Sequence, residues 1–388
     1  MTAIYLDGHA STPIAPEALD AMCRQAGRPG NPHAAHAAGA SAAAAVEHGR
    51  SLVAALICAE PTEIVLTSGA TEANNLAILG FARALRQSGS KKTTIVTSAI
   101  DHPSVLGPAE HLKREGFRHV SVPVGRDGLI DRHAFASAVR DAAVVSIGLA
   151  NGEIGTIQPI GELTEVAHAA GAVVHCDATQ AAGRIPVDAF ALDVDALSLS
   201  SHKMYGPPGI GALFVSSAAP VQPEPLFVGG GQERGRRPGT VPTMLVAGFG
   251  AAARLAAERL AQDAEHGERL RRSFLDALDR AATGWSLSLE SGSRLPGSLN
   301  LRFEGVDGDS LVDQLAGTVD FATGSACASG KVEPSHVLRA IGLSEDEARC
   351  AIRLYFHRYL DEEAAVRAAV LLASAAKRFR LVAGEVVQ

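Results

Sequence analysis

"AVVHCDATQ", residues 172–180, and "SLSSHKMYGPPG", residues 198–209, decide the fold. Each is a short apolar run that breaks off in polar residues, the first at Asp177 and the second at Ser200, Ser201, His202 and Lys203. Runs of that length, bounded by turn residues, read as strands. "EIVLTS" (63–68), "TTIVTS" (93–98), "HVSVPV" (119–124) and "AVVSIGLA" (143–150) repeat the pattern, and "GALFVS" (211–216) extends it. Between them, "TEANNLAILGFARALRQ" (71–87) and "IGELTEVAHAAG" (160–171) carry helical spacing, the second stopping at a glycine. Strand–helix alternation predicts an α/β fold whose large, mainly parallel sheet carries helices on both faces. Ligands bind such sheets outside the carboxyl ends of the strands.

Outward from this block, Pro and Gly dominate up to "RRPGT" (236–240), and a long helix is expected from about 243 to 282. A smaller α+β region follows, with strands in "WSLSL" (285–289) and "SLNLRFE" (298–304) and a final helix from Asp361. The Ala-rich stretch 33–57 has the propensity of an early helix rather than of a disordered segment.

The 388 residues are 47% apolar with a formal charge of −7, and the pI is about 6.1. That supplies a sizeable core and argues against a general nucleic-acid binder, which is usually basic. No apolar run approaches the ~20 residues that span a bilayer. The start, "MTAIYLDGHASTP", lacks the basic and apolar regions of a secretion leader, so a cytoplasmic protein is expected. The five cysteines are scattered without a C-x-x-C pair, which predicts neither a disulfide framework nor a metal site.

Lysines are few, and Lys203 stands where a strand meets a Gly/Pro turn. Alone it reads as a solvated surface group. Its neighbours Ser200 and His202 offer donors to an anion, and Asp177 ends a strand 26 residues earlier. An amine near a phosphate is what pyridoxal phosphate requires for its Schiff base, and a carboxylate beside the pyridine nitrogen makes the ring an electron sink. "TSGATEANN" (67–75) runs from a strand through Gly69 into a helix start, which either cradles a phosphate or is a plain N-cap built on Thr71. His102, in "SAIDHPSV", follows another strand, as a structural histidine or as a ring-stacking proton shuttle. Cys327, in "ATGSACASG" (322–330), sits among small residues: an inert small hydrophobe or a thiol held out to react.

These segments occur together and in order. With "YLDGHASTP", "GNPHAAH", "NGEIGTIQPI", "GGGQERGRRPGT", "TGSACASGKVEPSHVLRAIG" and "AIRLYF", the chain resembles the cysteine desulfurases of the class V aminotransferase group, which have the type I pyridoxal-phosphate fold. The likeness covers nearly the whole chain, and its cysteine segment is similar to the long-loop subgroup rather than to the subgroup whose cysteine follows a histidine pair. It implies pyridoxal 5′-phosphate as cofactor and assigns roles to residues. Lys203 is the Schiff-base lysine, Asp177 the pyridinium partner, Gln180 the donor to the 3′-oxygen and His102 the ring-stacking acid/base. Ala70, Thr71, Ser200 and His202 contact phosphate, while Thr240 reaches a phosphate across the interface of a homodimer with shared sites. Arg353 clamps the substrate carboxylate, a task suited to guanidinium, with Asn31 nearby and Asn151 near the cofactor. Cys327 takes sulfur from L-cysteine, releasing L-alanine, and passes it to an acceptor protein for iron–sulfur cluster assembly, tRNA thiolation or DNA phosphorothioation, without direct contact with nucleic acid or membrane. The implied organisation is an arm (1–15) packing with the small domain, a large cofactor-binding domain (16–250) and a small C-terminal domain (251–388) carrying the cysteine loop.

Three departures stand out. Gly152 replaces a second asparagine, so one polar contact is expected to be missing; Ser201 adds bulk on the phosphate side; and "LYFHR" after Arg353 is expected to narrow the substrate channel. Two other readings use the same residues: a transaminase or selenocysteine lyase that does not depend on Cys327, and a non-catalytic scaffold that binds partners.

Overall fold

The computed structural model describes residues 3–289, 292–324 and 334–386. Its larger sheet has seven strands in the order Ile64–Thr67, Gly211–Val215, Ala196–Ser200, Val173–Asp177, Ala142–Gly148, Thr94–Ser98 and Arg118–Val122. All are mutually parallel except Gly211–Val215, which runs against both its neighbours. The reversal follows from its connection. Residues 201–210 hold one 3-10 turn and a Pro-Pro-Gly bend, too short for a crossover helix, so the chain can only fold back as an antiparallel neighbour. Five of the strands are buried along their whole length, which is why they read as continuous apolar runs.

The helix Ala70–Gln87 begins directly after Thr67, through Gly69 at φ 151°. Only glycine adopts that conformation cheaply. The bare backbone also admits Gly211, whose Cβ, if present, would lie 2.7 Å from Gly69 Cα. The helix start is thereby pressed onto the sheet edge, with its first N–H groups facing the strand ends.

A 39-residue helix, Thr243–Ala281, joins two cores. Its first half buries Val246 and Phe249 in the core of the large sheet, and its second half buries Leu270, Phe274 and Leu278 against a four-stranded antiparallel sheet. That sheet is ordered Ala322–Thr323, Ala351–Tyr355, Ser298–Phe303 and Trp285–Leu287, and the helix Glu362–Val386 packs alongside. The N-terminal strand Ile4–Tyr5 pairs with Val319–Asp320. Asp7 then bridges to Tyr355, which leads residues 8–12 across the carboxyl edge of the large sheet.

The outer edge of Ile64–Thr67 is closed by side chains. Glu233 accepts from Leu66 N (2.7 Å) and Arg50 donates to Ile64 O (3.0 Å). The two residues also form a bidentate pair at 2.6 and 2.8 Å with both side chains at most 5% exposed. Glu233 and Arg234 hold left-handed backbone (φ 47° and 58°), so the anchor fixes a strained segment beside Gly229–Thr240 while blunting a sheet edge. Glu233→Ala leaves the buried Arg50 with only the exposed Glu47 carboxylate, 3.2 Å from its Nε; it should cost about 3 kcal/mol of stability, read as a lower urea midpoint with an unchanged slope. A midpoint equal to that of the unaltered protein would show the pair to be dispensable.

Candidate active site

The carboxyl ends of the strands open into a cavity of about 720 Å³ lined on one side by the large sheet and on the other by Thr323, Gly324, His336 and Arg353. Lys203 enters at the end of Ala196–Ser200, on the single turn Ser201–Lys203. Its Nζ donates to the carbonyls of His9 (2.6 Å) and Ala10 (2.8 Å), so the N-terminal segment rather than a carboxylate holds the amine. Burial, then the Arg184 and Arg353 charges, lower its pKa to about 8, while Asp7 and Asp177 pull the other way. A substantial neutral fraction near neutral pH is what a nucleophilic amine needs.

Asp177 is 8% exposed. One oxygen accepts from Thr179 N (3.0 Å) and the other from Asn74 Nδ2 (2.8 Å), and Asn74 also donates to Ser104 Oγ (2.8 Å). That oxygen pattern leaves Asn74 Oδ1 buried without a partner. His102 caps the helix Pro103–His111, its Nδ1 accepting from Ser104 N at 3.1 Å and meeting Ser104 Oγ at 2.8 Å. Burial lowers the His102 pKa, partly opposed by Asp177, so the ring is mainly neutral near pH 7, with Nδ1 engaged by Ser104 N and the proton on Nε2. His202, also on the cavity wall, is pushed down to about 4 by burial and the Lys203 and Arg184 charges.

At the other end of the cavity the first turn of Ala70–Gln87 carries no side-chain cap. The plain cap on Thr71 is therefore corrected: the N-cap is Gly69, and Thr71 lies in the first turn with its backbone N–H among those a helix leaves unpaired. Glu72 turns away to accept from Ser68 N (2.8 Å) and Arg237 Nε (2.9 Å). These contacts outweigh burial and lower its pKa, which keeps a negative charge pinned beside the anion cradle. Ser200 and His202 line the same cavity. An uncapped helix start, a buried carboxylate and a partly neutral amine share one cavity. That donor set fits pyridoxal 5′-phosphate: phosphate at the helix start, pyridine nitrogen toward Asp177, aldehyde toward Lys203.

Other expected residues are placed differently. Gln180 lines the cavity, yet its Nε2 donates to His9 O (3.0 Å) and its Oε1 accepts from Arg184 (2.6 Å). The Asn151 amide spans Ile100 O and the N–H groups of Glu153 and Ile154, shaping the loop. Arg353 points into the cavity while paired with Asp7 at 2.7 Å. Asn31 is exposed in a turn, accepting from His33 N, and Thr240 is exposed beside Phe227 and Val228 in a separate surface hollow; neither lines the cavity of the single chain. Cys327 lies outside the described residues, and none of the other four cysteines lines the cavity.

The three departures also resolve. A Cβ at Gly152 would stand 2.6 Å from Gln180 Nε2, so the space holds Gln180, and an asparagine there would displace it rather than add a contact. Ser201 is fully buried, turned inward against Gly206 and away from the cavity. Leu354, Tyr355, Phe356 and His357 are buried and absent from the cavity wall, so "LYFHR" does not narrow the channel. Strand alternation sends Arg353 to the cavity and its neighbour Leu354 into the core.

Sequence reasoning missed His9, Asn74, Asp101, Glu153, Arg184 and His336. Asp101 accepts from Ser98 N and Gly148 N, tying two strand ends, and burial raises its pKa to about 7. His336 donates to Asp101 O (3.0 Å), fastening the segment after residue 333 to the cavity rim. Glu153 lies between Gly324 and Ser335: a Cβ at Gly324 would overlap Glu153 Oε1 and stand 3.0 Å from Ser335 Cβ.

Comparison with known proteins agrees in extent as well as kind. The "Aminotransferase class-V" family profile matches residues 4–367. The chain is similar to cysteine desulfurase IscS of Rickettsia rickettsii (strain Iowa), 40% identical over 380 residues that cover 97% of this chain and 92% of the relative. Among solved structures it is similar to a NifS-like protein (TM-score 0.88, 32% identity, 98% and 100% covered). It is also similar to SspA solved in complex with cysteine (TM-score 0.81, 35% identity, 92% and 100% covered).

Burial raises the Glu153 pKa from 4.5 to about 7, with the Ser335 hydroxyl and Arg353 opposing. The folded protein thus keeps a proton that the unfolded chain has released. The associated stability is whole below about pH 4.5 and is lost as pH rises through about 7. Glu153→Gln, which never ionises, should match the unaltered protein near pH 4.5 and melt at least roughly 2 °C higher at pH 8. Melting curves that stay parallel across this range would refute the assignment.

Proposed function

The chain belongs to the class V aminotransferase family, and on that premise we propose that its cavity takes L-cysteine, with Lys203, His102 and Cys327 as the reacting groups. It is a pyridoxal-phosphate-dependent cysteine desulfurase. The observation that carries the residue assignment is the meeting of a low-pKa Lys203, a buried Asp177 and an uncapped helix start in one cavity.

When bound, pyridoxal phosphate supplies an aldehyde that captures amines and a ring that accepts electron pairs. Asp177, held by Asn74 and Thr179, would present its carboxylate to the ring nitrogen, and Ala70, Thr71, Ser200 and His202 would receive the phosphate. Gln180 and Asn151 lie alongside. Arg353 receives the substrate carboxylate, with Asp7 holding the guanidinium in place until then. Lys203 and His102 would move protons at the substrate carbons, burial lowering the pKa of both. The Cys327 thiolate takes the sulfur of L-cysteine. The carbon–sulfur bond breaks, the carbon keeps the electron pair and gains a proton to give L-alanine, and sulfur remains as a Cys327 persulfide.

We read residues 1–15 as an arm, 16–250 as the cofactor-binding domain and 251–388 as the small domain. The exposed Thr240 and Asn31 suit a homodimer in which each subunit completes its partner's site. Among the described residues no helix is long and apolar enough to cross a membrane. A cytoplasmic enzyme that hands sulfur to an acceptor protein for iron–sulfur cluster assembly is the role we favour. 

Purified protein given L-cysteine should yield equal amounts of L-alanine and, with excess thiol, sulfide. Cys327→Ser should retain its yellow cofactor and lose sulfide release at least roughly 100-fold, with no added sulfur by intact mass. Lys203→Ala should lose covalent cofactor retention on borohydride reduction. Near-normal sulfide release by Cys327→Ser would favour the lyase or transaminase reading, and absence of cofactor from the unaltered protein would favour a scaffold.

A further inference from the structure

Arg184 stands on the turn after Gln180, outside the cavity wall, and is only 4% exposed. Each hydrogen bond it donates ends on a neutral acceptor: Gln180 Oε1 at 2.6 Å, His9 Nδ1 at 2.7 Å, Gly8 O at 2.9 Å and Lys203 O at 3.3 Å. Its Nε has no partner, and its Cζ lies 4.2 Å from the centre of the Tyr355 ring. None of these partners is a carboxylate. A buried guanidinium is ordinarily matched by one, because an unmatched charge out of water is costly. Here stacking on an aromatic face and a set of oriented dipoles take that place.

The surroundings are built to keep this arrangement. Gly8 lies over Tyr355 so closely that a Cβ there would overlap the ring. His9 is fully buried; accepting from Arg184 at Nδ1, it carries its proton on Nε2, 2.8 Å from Ser298 Oγ. Burial and the Arg184 charge hold its pKa well below the usual range, so it cannot neutralise or duplicate the cation. The carbonyls that hold the Lys203 amine belong to His9 and Ala10, the segment that Arg184 grips at Gly8 and His9.

We propose that Arg184 is a positioning residue for the Lys203 amine: its fork fixes the residue 8–10 carbonyls and Gln180, and its unmatched charge favours the neutral amine. The inference rests on the reading of Lys203 as the cofactor-bearing lysine. The charges facing that amine are Arg184 and Arg353, which disfavour the ammonium, and Asp7 and Asp177, which favour it; the neighbouring His9 and His202 are neutral. After burial, Arg184 is the largest influence lowering the pKa. Removing a nearby like charge raises the pKa of an amine, so loss of Arg184 should move the titration upward.

Acetic anhydride labelling of the purified protein over a pH series, with and without bound cofactor, and quantified on the Lys203 peptide by mass spectrometry, reads that titration. Without cofactor, the midpoint should lie near 8. Arg184→Gln, which keeps hydrogen-bond donors but no charge, should raise it by roughly one unit. Arg184→Lys, which keeps the charge but loses the fork, should restore it toward the original value. An unchanged midpoint in Arg184→Gln, or an equal rise in both variants, overturns the proposal. Should Arg184→Gln fail to fold, Tyr355→Leu removes the stacking surface and lets water reach the guanidinium; a smaller upward shift supports the proposal, and none overturns it. Neither outcome uses cysteine turnover, so a negative result leaves the desulfurase reading intact. Failure of pyridoxal phosphate to protect Lys203 from labelling would instead overturn the premise itself.

Discussion

The hydrogen bonds from Lys203 Nζ to the His9 and Ala10 carbonyls tie that amine to a chain segment that neither sheet alone could place. That segment reaches the amine because Ile4–Tyr5 is paired beside the smaller sheet and Asp7 is bridged to Tyr355. It stays there because Thr12 donates to His202 O and accepts from Tyr205 N. The strand ends of the large sheet, the N-terminal segment and the strand Ala351–Tyr355 therefore form one braced unit. A shift of the smaller sheet would move Arg353 and the carbonyls holding Lys203 together, preserving their relation. Geometry kept to a fraction of an ångström is what aligned proton transfer demands.

Charge is distributed around that unit unevenly. Asp101, Asp177 and Glu153 are acids on the cavity wall; Lys203 and Arg353 are the cations there, with Arg184 behind them. Only Arg353 has a direct carboxylate partner, Asp7. Asp101 accepts two backbone N–H groups and Asp177 an amide and a backbone N–H, so these acids are oriented by dipoles rather than spent on ion pairs. Carboxylates satisfied in this way keep a fixed direction and leave the cations available to an incoming anion.

Legibility in the sequence followed separation along the chain. Strands buried on both faces announce themselves locally, so ALSLS and its relatives appear where expected. The Asp177–Lys203 pair was readable because both sit at the ends of neighbouring strands. His9, Asn74 and Arg184 were not, since the contacts of Asn74 with Asp177, of Arg184 with His9 and of His9 with Lys203 join residues 103 to 194 positions apart, and only the tertiary fold creates them. The residues after Arg353 were misread for a related reason: an unusual residue type was taken as a change in the channel, whereas alternation and the turn after Tyr355 direct those side chains into the core and onto Arg184. Gly152 shows the converse. Its missing side chain is accounted for by Gln180, a residue 28 positions on whose role looked unrelated.

The buried polar atoms without a protein partner include Asn74 Oδ1, Glu153 Oε1, Thr179 Oγ1, Arg184 Nε and Arg353 Nε, which all lie on or directly behind the cavity wall. Each such group left unsatisfied costs about 1–3 kcal/mol, and a fold selected only for stability would place hydrophobic residues there. The hydrophobic clusters beneath the sheets show that this chain can pack such residues densely, with Phe135, Phe249 and Phe303 fully buried. Unmatched buried atoms also occur outside the cavity wall, at Thr164, Glu224, Ser288 and Arg302, so it is those on the wall itself, Thr179 Oγ1, Glu153 Oε1 and Arg353 Nε, that are open to a ligand. A bound phosphorylated pyridine and an amino-acid carboxylate carry the charges that the helix start, Lys203 and Arg353 lack, so binding should stabilise the two sheets against each other as well as fill the cavity.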